Sequence, residues 1–594
     1  MYIYILTSSN TITTTPQIRF TMGKIKEFFG NPGERPGLHC QAPIPAHHNV
    51  CAGSDDDEAE EKLRSAKKEE DYNPVNTCSV ASVSDSSDSA ELSSFTIQQN
   101  GTFDISRGFT GLHKGYMDRI LDKLVLFAGT ITVFYCVWII LIIWVVLGAV
   151  YNAPFNWQVV MQDGQSIQCY VWDTLLMRQQ LSSSHEQLIV CANLRSRMAS
   201  FQRMVKDWAL LPHSKESSPS DTVGACDQDG NASDNCACGS SSTEREQLGQ
   251  LPIENWYDRV SNYSSIIIGS VAAMVVFWMC IIVWIGCGAI PQAGDTTAPF
   301  TGKYSGSNPQ YKKFSDAWQM DINTAVAVSL LICTTFLQNI RARHDKFIAK
   351  ILLEVFSKDE HIDLMLRSHL DDYKPHTVIN IPEAKRSWLQ KIIDWYADII
   401  GTGIGVIIAI IVFGVWIGIG TPLHWGDDWW LIIGTYTGLV GFIDGYVLRE
   451  VYYRSVNEEE KNYAKVIDDD LQFMQQLGVP NPRDIVDSLE QEQAKVTSTM
   501  HYKISAFVNM ICSHQYSVVL GVLIVVGLIC ASSGMKWSTT GQLIANTPTM
   551  IIEEFFLIVL IQAHNWADVQ RRLEMSTILA HRRIMESHIE KMLA

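Results

Sequence analysis

Apolar residues are not spread evenly along this chain. They come in runs of about 20, the length an α-helix needs to cross ~30 Å of hydrocarbon, separated by strongly polar stretches. Eight such segments can be drawn, at roughly 124–150, 174–194, 264–288, 318–340, 398–420, 429–448, 515–534 and 545–565. The 174–194 segment carries Arg178, His185 and Glu186, which keeps it from facing lipid. The pattern predicts an all-α polytopic membrane protein of about eight transmembrane helices.

The runs repeat. Gly129, Trp138, Trp144 and Gly148 are spaced 9, 6 and 4 apart, and Gly269, Trp278, Trp284 and Gly288 have the same spacing. Gly401, Trp416 and Gly420 follow it with Ile410 in the first Trp slot, and a fainter fourth copy ends at Gly534. The predicted arrangement is four repeated helical hairpins, each with a uniform apolar A helix and a more polar B helix. Repeated units in membrane chains usually build a bundle around a shared path. In the A helices Gly and Trp serve close packing and interface anchoring.

The B helices carry polar groups at helical spacing. Asp316, Gln319 and Asn323 fall at i, i+3 and i+7 of one face. Gln542, Asn546 and Glu553 fall within about 20° of a common direction at 3.6 residues per turn. Gln542-xxx-Asn546-Thr547 repeats Gln319-xxx-Asn323-Thr324. Asp173, Gln180 and Gln187 share a face of the first B helix, and Thr437 and Asp444 share one of the third. Four oxygen-bearing stripes can then turn toward one centre. A carboxylate at the bilayer centre costs ~2.5–3.5 kcal/mol on insertion scales, so Asp444 and Glu553 need a reason to be there. Either they mark a cation or proton path, or Asp444 pairs with Arg449 and Glu553 and Glu554 sit at an interface. Asp321 lies off the Asp316–Asn323 face and is a poor candidate.

Mean hydropathy is near zero because apolar spans and polar segments cancel. The net charge of -17 sits in runs such as Asp55-Asp56-Asp57-Glu58 and Glu458-Glu459-Glu460, and no basic patch with interleaved aromatics points to nucleic acid. Lys and Arg set the orientation. The short connections 151–172, 291–314, 421–428 and 535–541 hold only Lys303, Lys312, Lys313 and Lys536, whereas 341–391 alone holds ten basic residues. Long connections and both termini are expected to be cytoplasmic. Of 14 cysteines only Cys169 then lies outside, so no external disulfide pair is available, and the Asn231-Ala232-Ser233 sequon is cytosolic. The start lacks the basic flank and long apolar centre of a secretory signal, and Met22 is a candidate working start.

The segments order as follows: a disordered cytoplasmic tail at 1–112, hairpin 1 at 113–206, a disordered linker at 207–253, hairpin 2 with a cytoplasmic helix extension at 254–375, hairpin 3 with a cytoplasmic loop at 376–500, and hairpin 4 with a C-terminal helix at 501–594. Phe347, Ile348, Ile351, Leu352, Val355 and Phe356 recur at helical spacing, so the membrane helix before them continues into the cytoplasm.

Carboxylate, amide and hydroxyl oxygens suit Mg, Ca, Mn and ferrous iron, held weakly enough to be released. Two soft clusters, His39-Cys40 with His47-His48 and Cys51, and Cys226 with Cys236 and Cys238, lack zinc-finger spacing and read as adventitious, or as parts of a cytosolic metal sensor. The membrane potential is worth roughly 4.6 kcal/mol per 100 mV for a divalent ion, enough for a more than roughly thousandfold gradient without a coupling ion. Two rivals remain: a metal-sensing membrane scaffold, and a membrane-embedded enzyme, for which no HExxH, GxSxG or P-loop is present.

Longer stretches carry a family likeness. Tyr311 to Asp345 (YKKFSDAWQMDINTAVAVSLLICTTFLQNIRARHD), Tyr151 to Leu181, Ile392 to Gly405, Lys536 to Glu553 (KWSTTGQLIANTPTMIIE) and the MGKIKEFFGNPGERP opening from Met22 resemble the fungal low-affinity iron(II) permease family. The likeness runs over nearly all of 110–590. It implies a plasma-membrane permease that takes up Fe²⁺ as cargo, with broad use of zinc, copper, manganese, cobalt and cadmium, and no resident cofactor. It supplies no binding site to carry over, so the site list rests on the stripes.

Overall fold

The computed structural model describes residues 38–43, 123–124, 127–210, 251–291, 306–308, 311, 313–372, 374–480, 482–483 and 499–593. Its helices are α1 (Ile131–Tyr151), α2 (Phe155–Ala209), α3 (Trp256–Ile268), α4 (Val271–Gly288), α5 (Asp316–Leu370), α6 (Trp388–Gly401), α7 (Gly403–Gly420), α8 (Asp427–Gln476), α9 (Met500–Cys512), α10 (Gln515–Gly534) and α11 (Thr539–Leu593). Seven of them, α1, α4, α5, α7, α8, α10 and α11, are long and apolar enough to cross a membrane.

Four helices stand apart by length. α2, α5 and α11 have 55 residues each and α8 has 50, so each runs ~75–80 Å, more than twice the hydrocarbon thickness. They close a ring in which α2 packs on α8 and α5, and α11 packs on α5 and α8. The short apolar helices lie outside this ring. Only 17% of the α1, α4 and α7 spans is buried, against 72% in α8 and 67% in α11. Their Val, Ile and Leu side chains face outward, as lipid contact requires.

Three of the outer elements are fastened to a long helix near where they begin. Gly129 O accepts from Asn339 Nδ2 of α5 at 3.1 Å, Ser265 O from Asn565 Nδ2 of α11 at 2.9 Å, and Gly401 O from Arg178 Nη1 of α2 at 3.1 Å. Close approach explains the glycine. A Cβ on Gly129 would lie 2.8 Å from Ala342 Cβ.

The turns into the long helices share one closure. Ala153 N–H bonds to Gly148 O at 2.8 Å, Phe314 to Gly288 O at 2.9 Å, Trp425 to Gly420 O at 2.9 Å and Trp537 to Ser532 O at 2.9 Å, and all four donors have φ between 45° and 54°. The fourth closure therefore falls on Ser532, not on Gly534 as the spacing suggested. Just inside three of these turns two indoles stack, Trp144 on Trp157, Trp284 on Trp318 and Trp416 on Trp429, with centroids 3.9, 3.8 and 4.3 Å apart. In each pair either indole N–H donates to the other residue's carbonyl, at 2.6 to 3.2 Å. A Cβ on Gly148 or Gly288 would strike the partner ring, which explains why glycine ends the outer helix there.

Two boundaries differ from the sequence reading. The 151–172 connection is mostly helix: α2 starts at Phe155, so the helix begins there and not at 174. Residues 155–173 escaped a hydropathy search because Gln162, Asp163, Gln165 and Ser166 are polar, yet all four are buried inside the bundle. Cys169 accordingly sits within a helix, not in an outer loop. In the N-terminal tail, Leu38–Cys40 form strand β1, paired antiparallel with β2 (Ile379–Ile381), because Leu38 and Cys40 bury against Ile189 and Ala192 of α2. His47, His48, Cys51, Cys226, Cys236 and Cys238 lie outside the described residues.

Past the spans the four long helices continue as one bundle. Its core is built from residues such as Leu194, Leu352, Tyr463 and Met575, then Phe201, Leu366, Phe473 and Met585. An ion-pair group, Arg582 with Asp359 and Asp470 at 2.5 Å each, is fully buried there.

Candidate metal path

One face of α8 is made of glycine. Gly434, Gly438, Gly441 and Gly445 follow at i, i+4, i+7 and i+11, a single stripe along the helix. Oxygen atoms of the neighbouring helices occupy the space that side chains would fill. A Cβ on Gly434 would lie 2.5 Å from Asp163 Oδ1, one on Gly438 2.7 Å from Asn546 Oδ1 and 3.1 Å from Thr549 Oγ1, and one on Gly441 2.9 Å from Glu553 Oε1 and 3.8 Å from Asp173 Oδ2. The stripe thus brings α2 and α11 oxygens onto one line inside the ring.

At the lower end of that line three carboxylates gather. Asp173, Asp444 and Glu553 lie within electrostatic range of one another. Asp444 is fully buried and accepts from Tyr396 OH at 2.6 Å, while its second oxygen has no partner within the described protein. Arg449 does not pair with it; its guanidinium donates to Phe556 O and Asn509 Oδ1, both at 2.9 Å. Cys169 sits close enough to interact with Glu553 and Asp173. Glu554 faces another way, accepting from Ser329 Oγ of α5 at 2.7 Å.

Above this group lies an amide layer. Asn323 is fully buried and neither of its side-chain polar atoms has a partner among the described residues. Asn546 Oδ1, Gln542 Oε1 and Asp163 Oδ2 are buried and unpartnered as well. Gln162 Nε2 reaches Thr324 Oγ1 at 3.0 Å. Buried polar atoms are normally satisfied, and each one left over costs ~1–3 kcal/mol, so a row of them marks room for something polar that is not protein. At the end nearest the turns Thr540 Oγ1 donates to Asp316 at 2.8 Å, Gln319 Nε2 donates to Ser307 Oγ at 3.3 Å, and Gln542 Nε2 donates to Trp537 O at 3.0 Å.

The stripe residues therefore fall into levels. Asp316, Gln319 and Gln542 form the end nearest the turns, Asn323 and Asn546 the middle, Asp173, Asp444 and Glu553 the end nearest the extended bundle; Gln180 is buried on α2 two turns beyond Asp173. Asp321 is exposed and takes only Gln158 Nε2, at 3.1 Å. Sequence reasoning missed Asp163, Gln162, Thr549, Tyr396 and the glycine face. One signal was available: Gln158-xxx-Gln162 is the first-repeat counterpart of Gln319-xxx-Asn323 and Gln542-xxx-Asn546.

A ring of carboxylate and amide oxygens in a low-dielectric interior attracts cations and repels anions, and it offers oxygen ligands to a divalent ion.

Comparison with known proteins leads to the same chemistry. The low affinity iron permease family model matches residues 501–591. The chain is 54% identical to the low-affinity Fe(2+) transport protein of Saccharomyces cerevisiae over 576 residues, 96% of this chain and 98% of that protein. It is 40% identical to the low-affinity iron/zinc ion transport protein fet4 of Schizosaccharomyces pombe over 464 residues, 77% of this chain and 71% of that one. No solved structure matches the chain. Likeness of that extent, across the apolar helices and the bundle that extends from them alike, means that this chain belongs to the low-affinity iron permease family.

Proposed function

We propose that this protein takes ferrous iron into the cell through the oxygen-lined interior of the four long helices, at low affinity and with room for zinc and other divalent ions. The observation that carries this reading is the set of buried oxygens without a partner among the described residues, Asp163 Oδ2, Asn323 Oδ1, Gln542 Oε1, Asn546 Oδ1 and Asp444 Oδ2, gathered around the Gly434–Gly445 face, with the half-buried Asp173 and Glu553 beside Gly441.

A hydrated Fe²⁺ would meet Asp316 and Gln319 first, exchange water for the amide oxygens of Asn323 and Asn546, and rest among the three carboxylates. Mixed carboxylate and amide oxygen ligands bind first-row divalent ions without strong preference, since selectivity rises with softer or geometrically demanding ligands. That accounts for a loose site that releases its cargo. The architecture we infer is four repeated hairpins, each an outer apolar helix, a turn closed by the shared hydrogen bond, and a long inner helix. The turns would face outward, where basic residues are few, and the extended bundle and both termini would lie in the cytoplasm of a plasma-membrane protein.

Uptake of radioactive ferrous iron into proteoliposomes, with the potential clamped at two values, tests the proposal. Flux should rise with inside-negative potential in the natural protein and fall more than about tenfold in Glu553→Gln. Equal flux in the variant, or none in either, overturns it.

A further inference from the structure

We propose that a basic cavity at the inner rim of the spans holds the phosphate-bearing headgroup of an anionic membrane phospholipid. The cavity, about 440 Å³, lies between the start of α6, the stretch of α8 just past its span, and the α9–α10 junction. That size falls within the usual range for small-ligand pockets. Five basic side chains line it, Lys385, Arg386, Arg454, Lys461 and Lys465, against two carboxylates, Glu450 and Glu458. The arginines have structural employment. Both hold Asp394 of α6, and Arg454 Nη1 also reaches Glu450 Oε1 at 3.2 Å. The lysines do not: Lys385, Lys461 and Lys465 are exposed and make no ion pair among the described residues. Three exposed ammonium groups thus flank a cavity between joined elements, as Ser387 Oγ ties the start of α6 to Gln515 of α10 at 3.0 Å. Several ammonium groups around one cavity suit a multiply charged phosphate better than a single carboxylate.

The membrane, not the cytosol, is the source the geometry favours. α6 is amphipathic: Asp394, Ala397 and Ile400 are buried, while Trp388, Ile392 and Trp395, at i, i+4 and i+7, are 69%, 52% and 64% exposed on the opposite face. A helix with two tryptophans and an isoleucine on its open side lies in the headgroup layer. The cavity opens beside its first turn, at the depth where lipid phosphates sit. Basic pockets at such a depth are where anionic headgroups bind. The inference depends on the bilayer placement of the spans and not on which ion they carry.

The test is titration of the full chain in phosphatidylcholine nanodiscs with fluorescent dioctanoyl phosphatidylinositol 4,5-bisphosphate. We expect saturable binding, at least about tenfold weaker in Lys385→Ala/Lys461→Ala/Lys465→Ala, and unchanged in the charge-matched control Lys346→Ala/Lys350→Ala/Lys374→Ala, whose lysines are also exposed. Equal loss in the control, no loss in the first variant, or equal binding of dioctanoyl phosphatidylcholine overturns the site. Inositol 1,4,5-trisphosphate competing as tightly as the lipid overturns the lipid as its occupant. Ferrous uptake by both variants in proteoliposomes of phosphatidylcholine alone verifies that each is folded.

Discussion

At the scale of single residues, the site is defined as much by missing side chains as by present ones. Asp444 and Glu553 were legible in the sequence because a carboxylate in an apolar run has a known cost. The glycines facing them were not, because a glycine's contribution here is the room it leaves for atoms of another helix, and that partner is invisible in one dimension. Gly438→Ala places a methyl group 2.7 Å from Asn546 Oδ1, and Gly441→Ala one 2.9 Å from Glu553 Oε1. Both should lower ferrous uptake by about tenfold or more while the protein reaches the membrane at normal level. Gly414→Ala, with nothing within 4 Å, should leave uptake unchanged. If all three behave alike in a vesicle assay, the glycine face is packing and not path. Tyr396 makes a finer distinction. Its hydroxyl fixes one Asp444 oxygen at 2.6 Å, so Tyr396→Phe should reduce uptake severalfold, less than Asp444→Ala, which removes the ligand itself.

At the scale of elements, the apolar runs gave the ends of the outer helices closely but started α1 and α4 seven residues early, and the first inner helix was started about 20 residues late. The reason is physical: α2 keeps polar side chains buried against other helices, so hydropathy, which assumes lipid contact, reads it as a loop. The Gly–Trp spacing was also seen before its meaning was. Stacked indoles exchanging two hydrogen bonds across a turn need a partner tryptophan 13 residues on in two cases and 34 on in the third, and that variable distance hid the pairing. The turns yield a prediction independent of transport. Gly288→Ala would put a Cβ 2.6 Å from the Trp318 ring, and overpacking of this kind costs ~1–3 kcal/mol. Its melting temperature in detergent should drop by several degrees. Gly534→Ala, at the fourth turn, which has no indole pair and nothing within 4 Å of the added Cβ, should change it far less. A fourth turn as sensitive as the second would mean that the closure, not the ring stack, carries the stability.

At the scale of the whole molecule, the apolar layer and the bundle that extends from it are not separate domains, because the same four helices run through both without a break. What holds the extended bundle together therefore bears on the path. Burial pushes His344, one turn past the α5 span, down to about 4. Its neutral form is the folded one, so as pH falls from about 6.5 toward 4 the unfolded chain takes up a proton that the folded one refuses, and up to about 3 kcal/mol of stability is lost in that window. His344→Gln should flatten the melting curve there. Deeper in, Arg582 bridges Asp359 and Asp470, with no exposure for any of the three. Buried ion pairs contribute little net stability when formed, but removing one partner strands the others and costs ~3–5 kcal/mol. Arg582→Ala leaves two carboxylates in a core lined by residues such as Phe201, Met204, Leu366 and Met585. It should lower the melting temperature more than any substitution in the path, and it should reduce uptake although it lies far from Glu553, because the ends of all four helices loosen together. Arg582→Met with Asp359→Asn and Asp470→Asn removes the charge of all three at similar volume and should restore most of both. If Arg582→Ala melts early yet transports at full rate, the bundle and the path are mechanically independent in spite of their shared helices.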